Sequence, residues 1–195
     1  MTTLAKLVLA SSSVHRKALL ERLGLSFVCH SPDIDESIRD GEAAPALVER
    51  LARGKAVTVA KEYPDALVIG SDEVAAANGR ILTKPEGYEG AVQQLRIMSG
   101  NLVEFVTCVC LVNSRSGQQQ LDTVTVEVRF RELTDAEISR YLDREQPFDC
   151  SGSFKSEGAG ITLVQRISSD DNTALLGLPL ISLQGMLRNE GYIIP

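Results

Sequence analysis

Three short stretches hold residues whose types and spacing suit chemistry on a phosphate group. Ser11, Ser12 and Ser13, with Arg16 close behind, stand between an apolar run and leucines recurring at helical spacing. Backbone N–H groups at a helix start are unpaired and carry the positive dipole end, so hydroxyls and a guanidinium there suit an anion. A serine that only caps the helix is the plainer alternative. Gly70-Ser71-Asp72 follows the apolar residues 66–69, and a strand that stops being apolar there would deliver a carboxylate to the carboxyl edge of a sheet. Segment 150–160 sets three glycines and three serines around Lys155 and Glu157, a composition for backbone lying against a ligand or for a surface loop.

Two further groups could join them. Asp33, Asp35 and Glu36 crowd one loop, and hard divalent ions favour carboxylate oxygens, although a solvated turn also explains acids there. Lys84 precedes Pro85 just after an Asn78-Gly79 hairpin signal, which would return it near Asp72. It could then meet a phosphate or form a surface pair with that Asp. Arg50, Arg53 and Lys55 line one helix and mostly read as a solvated cationic face.

The elements that must position these residues follow from periodicity. Strand 7–10 leads through the serines to a helix ended by Gly24, and residues 26–31 read as a second strand. Residues 44–62 carry the longest helical pattern, with Pro45 in its first turn. Residues 74–77 and 80–82 should pair across Asn78-Gly79, and a helix spans about 88–98. A long hairpin pairs 103–112 with 124–130, Thr134 to Glu137 open a helix as a capping box, and a last helix over 179–189 packs through Ile181, Leu183, Met186 and Leu187.

The 195 residues, 44% of them hydrophobic, suffice for one sizeable core, and a formal charge of −6 argues against a non-specific grip on nucleic acid or an anionic membrane. No leader pattern opens the chain and no apolar run is long enough to span a bilayer, so the expected address is cytoplasmic. The four cysteines lack paired metal spacing and read as reduced structural thiols, with Cys108 and Cys110 on one strand face. Two histidines, His15 and His30, give little support to a multi-histidine zinc site or a Ser-His-Asp hydrolase.

Taken together the motifs LASSSVHRKALL at 9–20, PDIDE at 32–36, RLARGKA at 50–56, IGSDEV at 69–74, TKP at 83–85, SGNLVEFVT at 99–107, GSFKSEG at 152–158 and GLPL at 177–180 make the chain resemble the Maf family of nucleoside triphosphate pyrophosphatases. SFKSEG is most similar to the YceF-like branch, which hydrolyses 7-methyl-GTP, rather than to branches acting on dTTP and UTP. The resemblance implies a mixed α/β fold, an elongated central sheet flanked by helices, two lobes around a cleft, a single domain and a homodimer. It implies cleavage between the α and β phosphates, giving a monophosphate and pyrophosphate, with a divalent cation, Mg²⁺ or Mn²⁺. Ser11, Ser13, Arg16, Lys55, Lys84 and Lys155 would meet phosphate, Glu36 and Asp72 the metal, and Asp72 would also accept a proton. His15, Glu73 and Glu157 would set base choice.

The chain departs from the family at Val14 and His15, where Pro and then Arg or an aromatic are usual, at Glu73, where Gln or Thr is usual, and at Thr83, usually Gly. An ionised Glu73 could only accept hydrogen bonds, whereas Gln could also donate to a guanine oxygen. A dTTP or UTP pyrophosphatase is the alternative within the family, and a nucleotide-binding regulator of septum formation, with weak or no hydrolysis, is the alternative of another class.

Overall fold

The computed structural model describes residues 5–194. Strand β1 (Lys6–Leu9) lies parallel to β3 (Ala66–Ala77), with Lys6 opposite Ala66 and Leu9 opposite Ile69. Strand β2 (Phe27–Cys29) joins the other edge of β1, also in parallel, after helix α1 (Val14–Glu21) carries the chain across. Strand β4 (Arg80–Leu82) folds back on the end of β3, and β5 (Leu102–Asn113), β6 (Gln119–Phe130) and β7 (Val164–Ser168) extend the sheet antiparallel. The order is β2-β1-β3-β5-β6-β7 with β4 on β3, a mixed sheet of seven strands. Helices α2 (Ala44–Ala60), α3 (Gly87–Met98), α4 (Asp135–Glu145) and α5 (Leu180–Asn189) complete the chain. No helix among the described residues is long and apolar enough to cross a membrane.

Side-chain alternation along the strands divides the core. Val8, Val68, Cys108 and Cys110 face α2 and pack against Leu47, Leu51, Ala52 and Ala56. Leu7, Leu9, Leu67, Ile69, Val109 and Leu111 point the other way, toward α1 and α5. Beyond them Ala75, Phe105, Val126, Val128 and Phe130 pack with α3 and α4. Phe154 closes that third cluster with ring centroids 5.5 Å from Phe105 and 5.1 Å from Phe130, and each aromatic buried there stabilises the fold by roughly 1.5–3 kcal/mol. A cleft opens where the first two clusters give way to the third.

Most expected boundaries agree with the structure, including the hairpin at Asn78-Gly79 and the Thr134–Glu137 capping box. Four features differ. Strand β3 does not end at Asp72 but continues to Ala77, because Ser71 and Asp72 find partners inside the fold and every residue from Leu67 to Ala76 stays in register with β5. Strand β6 begins at Gln119, before its alternating pattern becomes visible in the sequence. Strand β7, VQRIS, is an edge strand too polar to stand out. On α5 it is Leu180 that is buried, while Ile181 is 58% exposed.

Candidate active site

The cleft has a volume of about 500 Å³, a size suited to a small molecule. Strand β3 forms its floor. Asp72 lies within the strand, opposite Cys108, and alternation turns its side chain toward α2 while Ser71 and Glu73 face the α1 and α5 side. The expectation of a carboxylate at a strand end is thus corrected to one embedded in a continuous ladder.

Helix α2 approaches the floor at Gly70. A Cβ there would overlap the Ala52 carbonyl oxygen and lie 2.8 Å from the Ala56 nitrogen, so the helix can sit this close only over glycine. That approach lets Lys55, 6% exposed, reach the floor: its Nζ donates at 2.6 Å to Asp72 Oδ1 and lies 2.9 Å from Glu36 Oε1. A buried ammonium needs such partners to offset its lost hydration. Two carboxylates therefore converge on one cationic point, and oxygen donors of this kind fit Mg²⁺ or Mn²⁺. The Glu36 loop is braced by Arg50, whose Nε donates at 2.6 Å to Glu42 and whose Nη2 donates at 2.8 Å to the Ser37 carbonyl. That guanidinium holds the Glu42 carboxyl down at about 2. Asp35 instead accepts from the Ser37 N–H at 2.9 Å, a local turn bond, and neither it nor Asp33 lines the cleft.

On the opposite side Ser71 Oγ, fully buried, lies 2.7 Å from the Cys108 carbonyl and 2.8 Å from that of Gly177. The same Gly177 carbonyl accepts from Arg16 Nε at 2.8 Å. Gly177 has φ +92°, and a Cβ there would stand 3.2 Å from Arg16 Nε and 3.4 Å from Glu73 Oε2. Thr107 Oγ1 donates to the Ala174 carbonyl at 2.8 Å, while Asp171 and Thr173 accept from the first N–H groups of α5. The turn that orients Arg16 is therefore tied to the sheet at several points. The sequence places Ser71 in the Gly70-Ser71-Asp72 stretch but assigns its hydroxyl no role of its own, because its partners at Cys108 and Gly177 are distant in the chain.

Glu73 is half-buried beside Arg16, and burial pushes its carboxyl up to about 8, against the opposing pull of Arg16 and with the Asp72 and Glu157 charges adding to the rise. Below that pH the group is chiefly a carboxylic acid. In that form it can donate as well as accept, and the acceptor-only behaviour of the ionised group belongs to higher pH.

At the head of α1, Ser13 Oγ accepts from the Arg16 N–H at 3.3 Å as the helix cap, and Ser11 Oγ accepts from the Ser13 N–H at 3.1 Å. Both serines line the cleft all the same. His15 stands at its mouth, with Nδ1 3.1 Å from Glu157 Oε1. Lys84 is exposed on the rim and makes no ion pair with a described residue. The structure thus gathers the residues to which the family resemblance gives roles into one cleft, with a single departure. Lys155 is outside the lining: its Nζ lies 3.7 Å from Glu145 on α4 and its backbone N–H donates to Tyr141 Oη at 2.9 Å.

Residues 6–190 match the family model described as Maf-like protein. Among similar proteins, a 7-methyl-GTP pyrophosphatase of Aromatoleum aromaticum is 53% identical over 98% of this chain and 98% of its own. A 7-methyl-GTP pyrophosphatase of Pseudomonas savastanoi pv. phaseolicola is 53% identical over 97% and 98% of the two chains, and one of Cupriavidus pinatubonensis 50% identical over 98% and 96%.

Proposed function

The chain belongs to the Maf-like family, and from that premise we propose that its cleft hydrolyses 7-methyl-GTP between the α and β phosphates, releasing the monophosphate and pyrophosphate. The observation that carries this reading is the Lys55 ammonium joined to the Asp72 and Glu36 carboxylates on the floor, beneath a rim of hydroxyls and cations. Phosphoryl transfer asks mainly for positioning and for neutralisation of spreading negative charge. An acidic protein must supply both locally.

Arg16, oriented by the Gly177 carbonyl, and Lys84 on the rim hold the triphosphate chain, with the Ser11 hydroxyl and the α1 N-terminus beside them. Lys55 fixes one oxygen of Asp72, and the carboxylate accepts the proton of the attacking water. Water attacks phosphorus, and the pyrophosphate leaves toward Lys84. A divalent cation held by Glu36 and Asp72 would supply further charge neutralisation at the reacting phosphate. Lys155 would act on the phosphates only after leaving Glu145, so its role becomes support of the 150–160 loop. The cationic 7-methylguanine ring is favoured by the anionic Glu157 and by His15 at the mouth.

The test is incubation of the purified protein with Mg²⁺ or Mn²⁺ and a panel of canonical and methylated triphosphates, with pyrophosphate and monophosphate measured. Preference for 7-methyl-GTP is the expected result. Preference for dTTP or UTP would reject the substrate, and no release from any of them would reject hydrolysis.

A further inference from the structure

At the mouth of the cleft three side chains of different chemistry converge. The Nε2 of His15 lies 4.0 Å from Asp149 Oδ2, Cys150 Sγ lies 3.5 Å from Asp149 Oδ1, and one ligand atom from each residue falls within 4.8 Å of the others. Four-coordinate zinc holds sulfur at about 2.3 Å and nitrogen or oxygen at about 2.0–2.2 Å, which places neighbouring ligand atoms roughly 3.3–3.7 Å apart. Side-chain rotations that move the ligand atoms by about 1 Å close separations of up to 4.8 Å to those values.

The surroundings favour such a use. Glu157 Oε1 stands 3.1 Å from His15 Nδ1, and a carboxylate there favours the tautomer that carries its proton on Nδ1. The lone pair of Nε2 then faces Asp149 and Cys150, the arrangement in which an outer carboxylate orients a metal-bound imidazole. Cys150 is presented by a braced turn: the Gly152 N–H donates at 3.2 Å to the Thr83 carbonyl, and Ser151 Oγ donates at 3.0 Å to that of Glu73. Gly152 has φ +65° and would bring a Cβ within 3.0 Å of Ala75, so the turn is fitted to this backbone path. The donor set differs from the floor of the cleft. Glu36 and Asp72 offer oxygen alone, whereas imidazole and thiolate select borderline and soft ions.

We propose that His15, Asp149 and Cys150 form a second cation site, selective for a divalent ion of the zinc class, with Glu157 as the residue that positions His15. Three protein ligands leave one coordination position for water or for a ligand in the cleft. Binding replaces the Cys150 S–H bond with a metal–thiolate bond and releases that proton to solvent. Because that proton is released, uptake strengthens as pH rises.

The test uses the intact purified chain, freed of metal and titrated with Co²⁺ as a spectroscopic probe, followed by Zn²⁺. One Co²⁺ per chain should produce a thiolate charge-transfer band in the near ultraviolet, and one equivalent of Zn²⁺ should abolish it. Cys150→Ser should lose the band, Glu157→Gln should keep it with affinity lowered at least about tenfold, as for outer carboxylates of metal-bound histidines. Glu36→Gln and Cys29→Ser should retain both the band and its affinity, which separates this site from the floor carboxylates and from the exposed thiol. No band in the unsubstituted protein, or a band that disappears with Cys29→Ser and survives Cys150→Ser, would overturn the assignment. Neither readout depends on hydrolysis.

Discussion

Replacing Gly70 with alanine tests the physical link between the core and the candidate site. The added methyl would stand 2.9 Å from Ala56 Cβ and 2.8 Å from the Ala56 nitrogen, and would overlap the Ala52 carbonyl oxygen. Ordinary apolar contacts begin near 3.5–4.0 Å, so α2 must withdraw from β3 by about 1 Å over its middle turns. The obstacle is helix backbone, which no rotamer change relieves. Overpacking typically costs about 1–3 kcal/mol, and this site belongs at the upper end, offset by about 0.5–1 kcal/mol from the lower entropy of an unfolded chain with alanine. The net loss expected is about 2 kcal/mol, a sizeable share of the roughly 5–15 kcal/mol typical of a domain. Lys55 rides on the displaced helix, and a misplacement near 1 Å can reduce turnover about a hundredfold. Urea denaturation followed by circular dichroism gives the first quantity, and pyrophosphate release per enzyme gives the second. Stability within about 0.5 kcal/mol of the parent, with unchanged turnover, would refute the claim that this contact sets the position of Lys55.

Three further outcomes are expected. Asp72→Asn should bind 7-methyl-GTP nearly as well as the parent in equilibrium titration yet turn over at least about a hundredfold more slowly, and near-normal turnover would remove Asp72 as proton acceptor. The Glu73 carboxyl titrates near 4.5 when unfolded and about 8 when folded, so its contribution to stability falls as pH rises through that window; in metal-free protein Glu73→Gln should be more stable than the parent at the upper end, on the order of 2 kcal/mol after discounting for its partial contact with water, and about equal at the lower end. Parallel stability curves for the two proteins would contradict it. Burial pushes the Cys108 thiol up to about 12 and the Cys110 thiol to about 11, so a thiol reagent should modify exposed Cys29 quickly and those two only upon unfolding, as mass spectrometry after timed quenching would read.

The parts of this molecule legible in the sequence are those written in local chemistry. The Thr134 capping box and the Asn78-Gly79 turn need only neighbours along the chain, and both stand where expected. The apolar runs of β1, β3 and β5 announce buried strands. What local pattern could not supply is a partner distant in sequence. Ser71 and Asp72 read as the end of a strand because polarity usually ends one, yet carbonyls of Cys108 and Gly177 and the ammonium of Lys55 keep them inside it. Arg50 and Lys55 read alike as helix cations, but one braces the Glu36 loop and the other is buried at the centre of the floor. Lys155 shares a loop with Glu157 and still turns to Glu145, a choice made by the packing of α4.

The continuity of β3 beneath the cleft has a bearing on how this scaffold can change. Asp72 is carried by an interior strand paired with β5 through the whole segment, so its backbone can be released only by opening the middle of the sheet. His15, Asp149, Cys150 and Glu157 belong instead to a helix start and a turn that insertions and substitutions can reshape at small cost to the core. Drift in the sequence can therefore explore new ligands at the mouth while the floor of the cleft remains fixed.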